Sequence, residues 1–243
     1  MIDIHNHLLP GLDDGPGDLA EALALARLAV ADGVSHMIAT PHIRPGVYDN
    51  TAGGIAASLA SFRGALASAG IPLAVSAAAE VRFGLNVMID AEGGALPMLG
   101  RWGGQAVLLL EFPHTEVPFG AERLTEWLMT RGVCPMIAHP ERNGDIVNDP
   151  GRLAPFREQG CLLQVTASAL TGQFGKRVRA RAEQLVGDGE VVCIASDAHN
   201  THSRPPCLDL GARAAAALVG ESAARALTRD NPWEIIQGHF EAD

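Results

Sequence analysis

Six short apolar runs in this chain of 243 residues lead into side chains that could hold a metal ion. The first runs into His5 and His7, which at i and i+2 on an extended strand point the same way. The second ends in the Pro-His42 step of IATPH, the third at Glu80 in AAAEVR, the fourth at Glu111 in AVLLLEF and the fifth at His139 in HPERN. The last ends in Asp197-Ala-His199, again an i, i+2 pair. Every candidate is an imidazole or a carboxylate and none is a thiolate, a donor set that suits Mn²⁺, Fe²⁺ or Zn²⁺. Eight such residues exceed what one ion needs and point to two or three. The loop PGLDDGPG can add Asp13 or Asp14 as a ninth; the alternative is that one of the two caps the helix beginning near Asp18.

Singly these signals are weak. An HxH pair is only suggestive, a Glu after an apolar run is usually a solvated strand end, and a lone His is more often satisfied by backbone. Glu111 is sharper: five apolar residues lead straight into it, and a buried carboxylate needs a cation or several donors to stay charged. The joint pattern decides, because a purely structural explanation must account for six strand ends separately. Arg142 lies three residues after His139, and Arg204 five after His199. A guanidinium beside divalent cations has good reason to bind an anion such as phosphate. The pair therefore points to phosphate-ester hydrolysis.

The elements that must position these residues are short strands at 2–4, 36–40, 73–78, 106–110, 134–138, 161–165 and 191–196, six of them with a candidate ligand at the end. Helical segments are expected at 18–31, 55–69, 121–130, 153–159 and 169–186, with Ala-rich helices at 208–219 and 222–227 and a short NPWEII turn closing the chain. Gly33, Gly70, Gly132 and Gly160 follow four of the helices, where a C-cap favours a left-handed residue. Strands alternating with helices mean βα units around a parallel sheet, an α/β fold. No break in composition separates a second domain, so residues 1–243 read as one. Periodicity alone leaves an open sheet and a closed barrel both available. Only a barrel brings six strand ends to one point, at the C-terminal rim where such folds build their sites.

The formal net charge of −10 argues against nucleic-acid and membrane-surface partners. Lys occurs once, at Lys176, so the positive charge is almost all guanidinium, suited to bidentate anion recognition. The four cysteines, Cys134, Cys161, Cys193 and Cys207, form no CxxC pair, and the chain reads as reduced and cytoplasmic. No signal peptide and no apolar run long enough to span a bilayer is expected. GxxxxGK[ST], GxSxG and HExxH are absent, and the Cys207-x5-Arg213 spacing is discounted because its interior, LDLGA, reads as helix rather than an anion-cradling loop. His36, His114, His202 and His239 are read as structural, with only His202 near the site in sequence. Phe174, Gly175 and Lys176 could border a substrate pocket.

The segments HNHLLPGLDDG, IATPH, AEVR, LLLEFP, IAHPERN, TASALTGQFGK and SDAHN, in this order, resemble the polymerase and histidinol phosphatase (PHP) superfamily. More narrowly they resemble its branch of bacterial capsule and exopolysaccharide tyrosine-protein phosphatases, over roughly residues 1–204. The resemblance implies a distorted (β/α)7 barrel and a metal-dependent, typically Mn²⁺, phosphotyrosine phosphatase. Its substrate would be the tyrosine-rich tail of the kinase that controls polysaccharide export, and an oligomer is compatible with it. It implies a trinuclear site: His5, His7, Glu80 and Asp197 on one ion; His42, His199 and an Asp of the DDG loop, Asp14 preferred, on a second; Glu80, Glu111 and His139 on a third. Arg142 and Arg204 would bind phosphate, completing with Glu111 and Asp14 the residues nearest the chemistry. Ala78-Ala79 departs from the Gly-Gln more usual before Glu80, which leaves the ligand intact. Histidinol-phosphate hydrolysis, or that of another small phosphoester, is the alternative within the superfamily. A nuclease or an amidohydrolase barrel is the alternative outside it.

Overall fold

The computed structural model describes residues 1–240. Its strands are β1 (Ile2–Asp3), β2 (His36–Ala39), β3 (His42–Ile43), β4 (Ala74–Ala77), β5 (Glu80–Arg82), β6 (Gly100–Trp102), β7 (Gln105–Glu111), β8 (Val133–Ala138), β9 (Leu162–Thr166) and β10 (Cys193–Ala195). The helices are α1 (Leu19–Ala31), α2 (Ala52–Ser68), α3 (Asn86–Glu92), α4 (Ala121–Met129), α5 (Gly144–Asn148), α6 (Ala154–Glu158), α7 (Ala167–Leu170), α8 (Lys176–Gly187), α9 (Leu208–Val219), α10 (Glu221–Arg225) and α11 (Asn231–Ile236). The chain is an α/β protein with parallel sheets. One sheet runs β1-β2-β4, and the other runs β10-β9-β8-β7-β5-β3 with β6 antiparallel along β7. A parallel bridge between Asn6 and Ala198 ties the segment after β1 to the segment after β10.

Two expected strands are interrupted. The runs 36–40 and 73–78 stop at Ala39 and Ala77, and His42 and Glu80 open separate strands, β3 and β5, that pair with each other in the second sheet. Pro41, with no N–H to donate, ends the first ladder. Its carbonyl instead accepts from the Glu80 amide at 3.2 Å. The expected helix 169–186 is broken as well: Gly172 and Gly175 take φ of 88° and 89°, and α8 starts only at Lys176. All four glycines expected to cap helices have positive φ. Neither Asp13 nor Asp14 caps α1. Asp18 does, accepting from the Glu21 amide at 2.9 Å.

Alternation along the strands separates two cores. On β7, Leu108 and Leu110 join the larger cluster, which packs against α1, α2 and α4, while Val107 and Leu109 join a smaller one with Ile4, Ile38, Met136, Cys193 and Ala195. Ile235 and Ile236 of α11 belong to the smaller cluster, and α11 packs on β1 and β6. Glu111 continues the Val107–Leu109 register on β7, as Asp197 continues Cys193–Ala195 on β10. The same faces that bury the smaller core thus carry carboxylates past the strands' C-terminal ends. All four cysteines are buried and unpaired. Cys207 precedes α9 and burial pushes its thiol up to about 12, so the Cys207–Arg213 spacing offers no thiolate. No helix of the described residues is long and apolar enough to cross a membrane.

Candidate metal centre

The HNH and SDAH segments run side by side: the Asp197 amide donates to the His5 carbonyl at 2.8 Å, and the His7 amide to the Ala198 carbonyl at 2.9 Å. This register sets His5, His7, Asp197 and His199 at one place. His139, directly after β8, and Asp197, two residues after β10, have φ of 34° and 53°, the only non-glycine residues on the positive side among those described. Such conformations cost about 1–3 kcal/mol each and survive where the surroundings over-determine them. Here each turns a ligand-type side chain into the cluster.

Three imidazoles are oriented through one nitrogen. His5 Nδ1 donates to Gln164 Oε1 at 2.7 Å, His7 Nδ1 to Asp13 Oδ2 at 2.6 Å, and His199 Nδ1 to the Asp197 carbonyl at 2.9 Å. Each Nε2 is thereby turned into the cluster, the arrangement second-sphere partners impose on metal-ligating histidines. Those Nε2 atoms, together with His42 Nδ1, Glu80 Oε2 and Glu111 Oε2, are buried and make no well-formed hydrogen bond. They nevertheless converge: Glu80 Oε2 lies 3.4, 3.5 and 3.0 Å from His5, His7 and His42, and His139 Nε2 lies 2.9 Å from Glu80 Oε1. Six buried polar atoms left over in one cluster would each cost on the order of 1–3 kcal/mol. A divalent cation satisfies such a donor set, so the residues present fit metal.

Ligand atoms group within 4.8 Å of one another in four overlapping sets. These are His7, Asp14, His42 and His199; His5, His7 and Glu80; His5, His139 and Asp197; and His42, Glu80 and Glu111. Every expected ligand is therefore brought to one place. The groupings differ from those the resemblance implies in three places: His7 also falls with Asp14, His42 and His199, His139 falls with His5 and Asp197, and His42 joins Glu80 and Glu111. The two loop aspartates divide the work. Asp14 Oδ1 stands 3.3 Å from His199 Nε2 and 3.5 Å from His42 Nε2, whereas Asp13 grips His7 and accepts from the His42 amide at 2.9 Å. Gly15 keeps the loop down, because a Cβ there would lie 2.2 Å from the His7 carbonyl oxygen.

Electrostatics follow from this crowding. Although burial opposes its charge, His5 and His42 hold the Glu80 carboxyl well below the usual range. Burial, then the neighbouring Glu80 charge, raises Glu111, whose Oε1 is held by Arg82 at 2.9 Å. Against burial, Asp13 raises His7 and Glu80 raises His5. Burial and then Arg142 push His139 down to about 3. Arg142 and Arg204 converge on one atom, Asp197 Oδ2, each at 2.5 Å, while Asp197 Oδ1 faces His5 and His7 at 3.4 Å. Asp197 thus joins the imidazole cluster to both arginines. A cavity of about 350 Å³ opens over them, lined also by Arg44, Tyr48, Arg82 and His114.

Sequence reasoning assigned no part to Arg82, Gln164 or His114. Gln164 is a polar residue inside the run CLLQV of the one strand that ends without a ligand, and that oddity was its signal. His114, expected to be structural, lines the cavity. His202 lies outside it in an exposed loop whose backbone is held by Asn200. Phe174 borders the site through Arg142, whereas Lys176 is exposed at the start of α8.

An α/β fold with a buried imidazole–carboxylate cluster and two arginines at its strand ends defines a class of candidate metallohydrolase. The chain matches the family described as capsular polysaccharide synthesis, CpsB/CapC, over residues 1–237, and it belongs to that family. It is 39% identical over 204 residues to tyrosine-protein phosphatase YwqE of Bacillus subtilis, covering 84% of this chain and 79% of that protein. It is 30% identical over 242 residues to tyrosine-protein phosphatase CpsB of Streptococcus pneumoniae, covering 97% and 98%. Among solved structures it superposes, with a TM-score of 0.90 and 34% identity over 98% of this chain and 94% of the other, on one from a study of YwqE and CpsB as "unique metal-dependent tyrosine phosphatases".

Proposed function

We propose that this chain is a metal-dependent phosphotyrosine-protein phosphatase of capsule or exopolysaccharide synthesis. It acts in the cytoplasm on the tyrosine-rich tail of a bacterial tyrosine kinase. Residues 1–243 form one domain, a distorted (β/α)7 barrel. Supporting the barrel, β2 continues into β3, β4 continues into β5, and the Asn6–Ala198 bridge joins the ring's remaining edges. The site lies at the C-terminal rim, with two to three divalent ions held by His5, His7, Asp14, His42, Glu80, Glu111, His139, Asp197 and His199. Mn²⁺ ranks first, and Fe²⁺ and Zn²⁺ suit the same donors. The observation that carries this reading is the set of six buried, convergent and unpartnered ligand atoms beside two arginines that share one carboxylate oxygen.

Divalent ions bound there supply water activated for in-line attack at phosphorus and neutralise charge on the phosphoryl group. The chain's own groups do the rest. Arg142 and Arg204 bind the phosphoryl oxygens, and their shared contact with Asp197 keeps them beside the ligands. Asp14, at the cavity's edge, and Glu111, held by Arg82, flank the reacting group. A tyrosinate leaving group, with a pKa near ~10, needs less protonation than an alkoxide would. The attack is by water rather than by a cysteine, since burial raises the thiols of all four cysteines.

The test is hydrolysis of a phosphotyrosine peptide and of histidinol phosphate side by side, with Mn²⁺ and with EDTA. Preference for the peptide, lost on chelation, is the expected result. Preference for histidinol phosphate overturns the substrate, and activity indifferent to EDTA overturns the mechanism.

A further inference from the structure

Arg142 is held on three sides, and only one of them is the shared Asp197. Its guanidinium carbon sits 4.5 Å from the centroid of the Phe174 ring, and its Nη2 lies 3.3 Å from His114 Nε2. Arg204 has no aromatic neighbour and no second side-chain acceptor among the described residues; its guanidinium is tied through Asp197 alone. Two like charges converging on one oxygen repel each other, so Asp197 by itself does not fix where each guanidinium points.

The other two holds are built into the backbone. Phe174 owes its position to the break between α7 and α8, where Gly172 and Gly175 bend the chain. His114 belongs to the loop after Glu111, and that loop is stapled to the loop carrying Arg142. Asn143 Nδ2 donates to the Pro113 and Glu116 carbonyls at 2.6 and 2.7 Å, and the Gly144 amide donates to the His114 carbonyl at 2.7 Å. The approach is so close that a Cβ on Gly144 would lie 2.6 Å from the Thr115 carbonyl oxygen.

We infer that His114 and Phe174 are positioning residues that clamp Arg142 in its anion-binding orientation, His114 as acceptor at one edge and Phe174 as a face beneath the guanidinium. Because Arg142 can only donate, His114 must present an unprotonated Nε2 and carry its proton on Nδ1. Cation–π contact beneath and a hydrogen bond at the edge leave the remaining N–H donors of Arg142 for an incoming phosphoryl group. Preorganisation of this kind is repaid when the anion binds. The clamp presupposes the phosphatase reading above.

The test uses the Mn²⁺-loaded full chain, with inorganic phosphate as the probe. The phosphate inhibition constant, kcat and KM for a phosphotyrosine peptide, and metal content are measured together. His114→Ala and Phe174→Ala are each expected to weaken phosphate inhibition and lower kcat/KM about 10-fold, with metal content unchanged. His114→Gln, whose amide oxygen can accept from Arg142, restores most of the loss, and His114→Leu does not. In an Arg142→Ala background the His114 and Phe174 substitutions cost nothing further, as double-mutant cycles require of residues acting through it. Unchanged phosphate inhibition in both single variants, or losses that add in full to that of Arg142→Ala, overturns the clamp while leaving the phosphatase intact. Wild-type protein that neither hydrolyses the peptide nor is inhibited by phosphate overturns both.

Discussion

The two ends of the parallel strands treat histidine in opposite ways. At the N-terminal end His239 is fully occupied: Nδ1 accepts from Ser76 at 3.0 Å and Nε2 donates to the Leu99 carbonyl at 3.1 Å. His36 there pairs through Nδ1 with the Ser35 hydroxyl at 3.0 Å and packs edge-on against Trp233 and Phe240. At the C-terminal end His5, His7 and His199 spend one nitrogen on an orienting partner and keep the other free and buried, aimed at neighbours equally short of partners. His239 has both nitrogens partnered, whereas the C-terminal end is a set of buried ring nitrogens aimed at a place for a cation. What a histidine has left over, more than how deeply it is buried, separates structure from chemistry here.

Substitutions should break this contrast unevenly. Glu80→Ala removes the carboxylate that touches four imidazoles and should lower peptide hydrolysis by on the order of 10³-fold while reducing bound metal, read by turnover and elemental analysis. Full activity in that variant would remove Glu80 from the account. Asp13→Asn and Gln164→Ala, which alter the groups that orient His7 and His5 from their far side, should weaken metal binding by roughly 10–100-fold. Equilibrium dialysis measures that, and unchanged affinity would reduce both to packing residues. Smallest at the site, His239→Ala should leave metal content and turnover unchanged and cost only about 1–2 kcal/mol in a denaturant melt. A loss of metal in His239→Ala would erase the distinction between the two ends.

Most of the chemistry was legible because it sits at strand ends, where a polar residue after an apolar run stands out. The nine ligand candidates and both arginines meet in the structure. The choice between Asp13 and Asp14 was not legible: two adjacent aspartates look alike in sequence, and only the loop's fold over Gly15 sends one to His7 and the other to His42 and His199. That His114 lines the cavity was not legible, because its place is set by staples made by Asn143 and Gly144, some thirty residues away. In the fold, the βα alternation and helix-capping glycines were visible. The β6–β7 hairpin was missed although Gly103-Gly104, with φ of 54° and 85°, is the turn such a hairpin needs. The shift of His42 and Glu80 into separate strands depends on pairing between distant segments, which local pattern does not carry.

Calorimetric titration of the metal-stripped chain with Mn²⁺, at two pH values, tests the central claim most directly. His5, His7 and His42 are raised above their ordinary values by the carboxylates around them and must shed protons to ligate. Saturable binding of two to three ions, with proton release and an affinity that falls as pH is lowered, is the predicted result. A chain that binds no ion, or binds one with no proton release and equally well in Glu80→Ala, would contradict it.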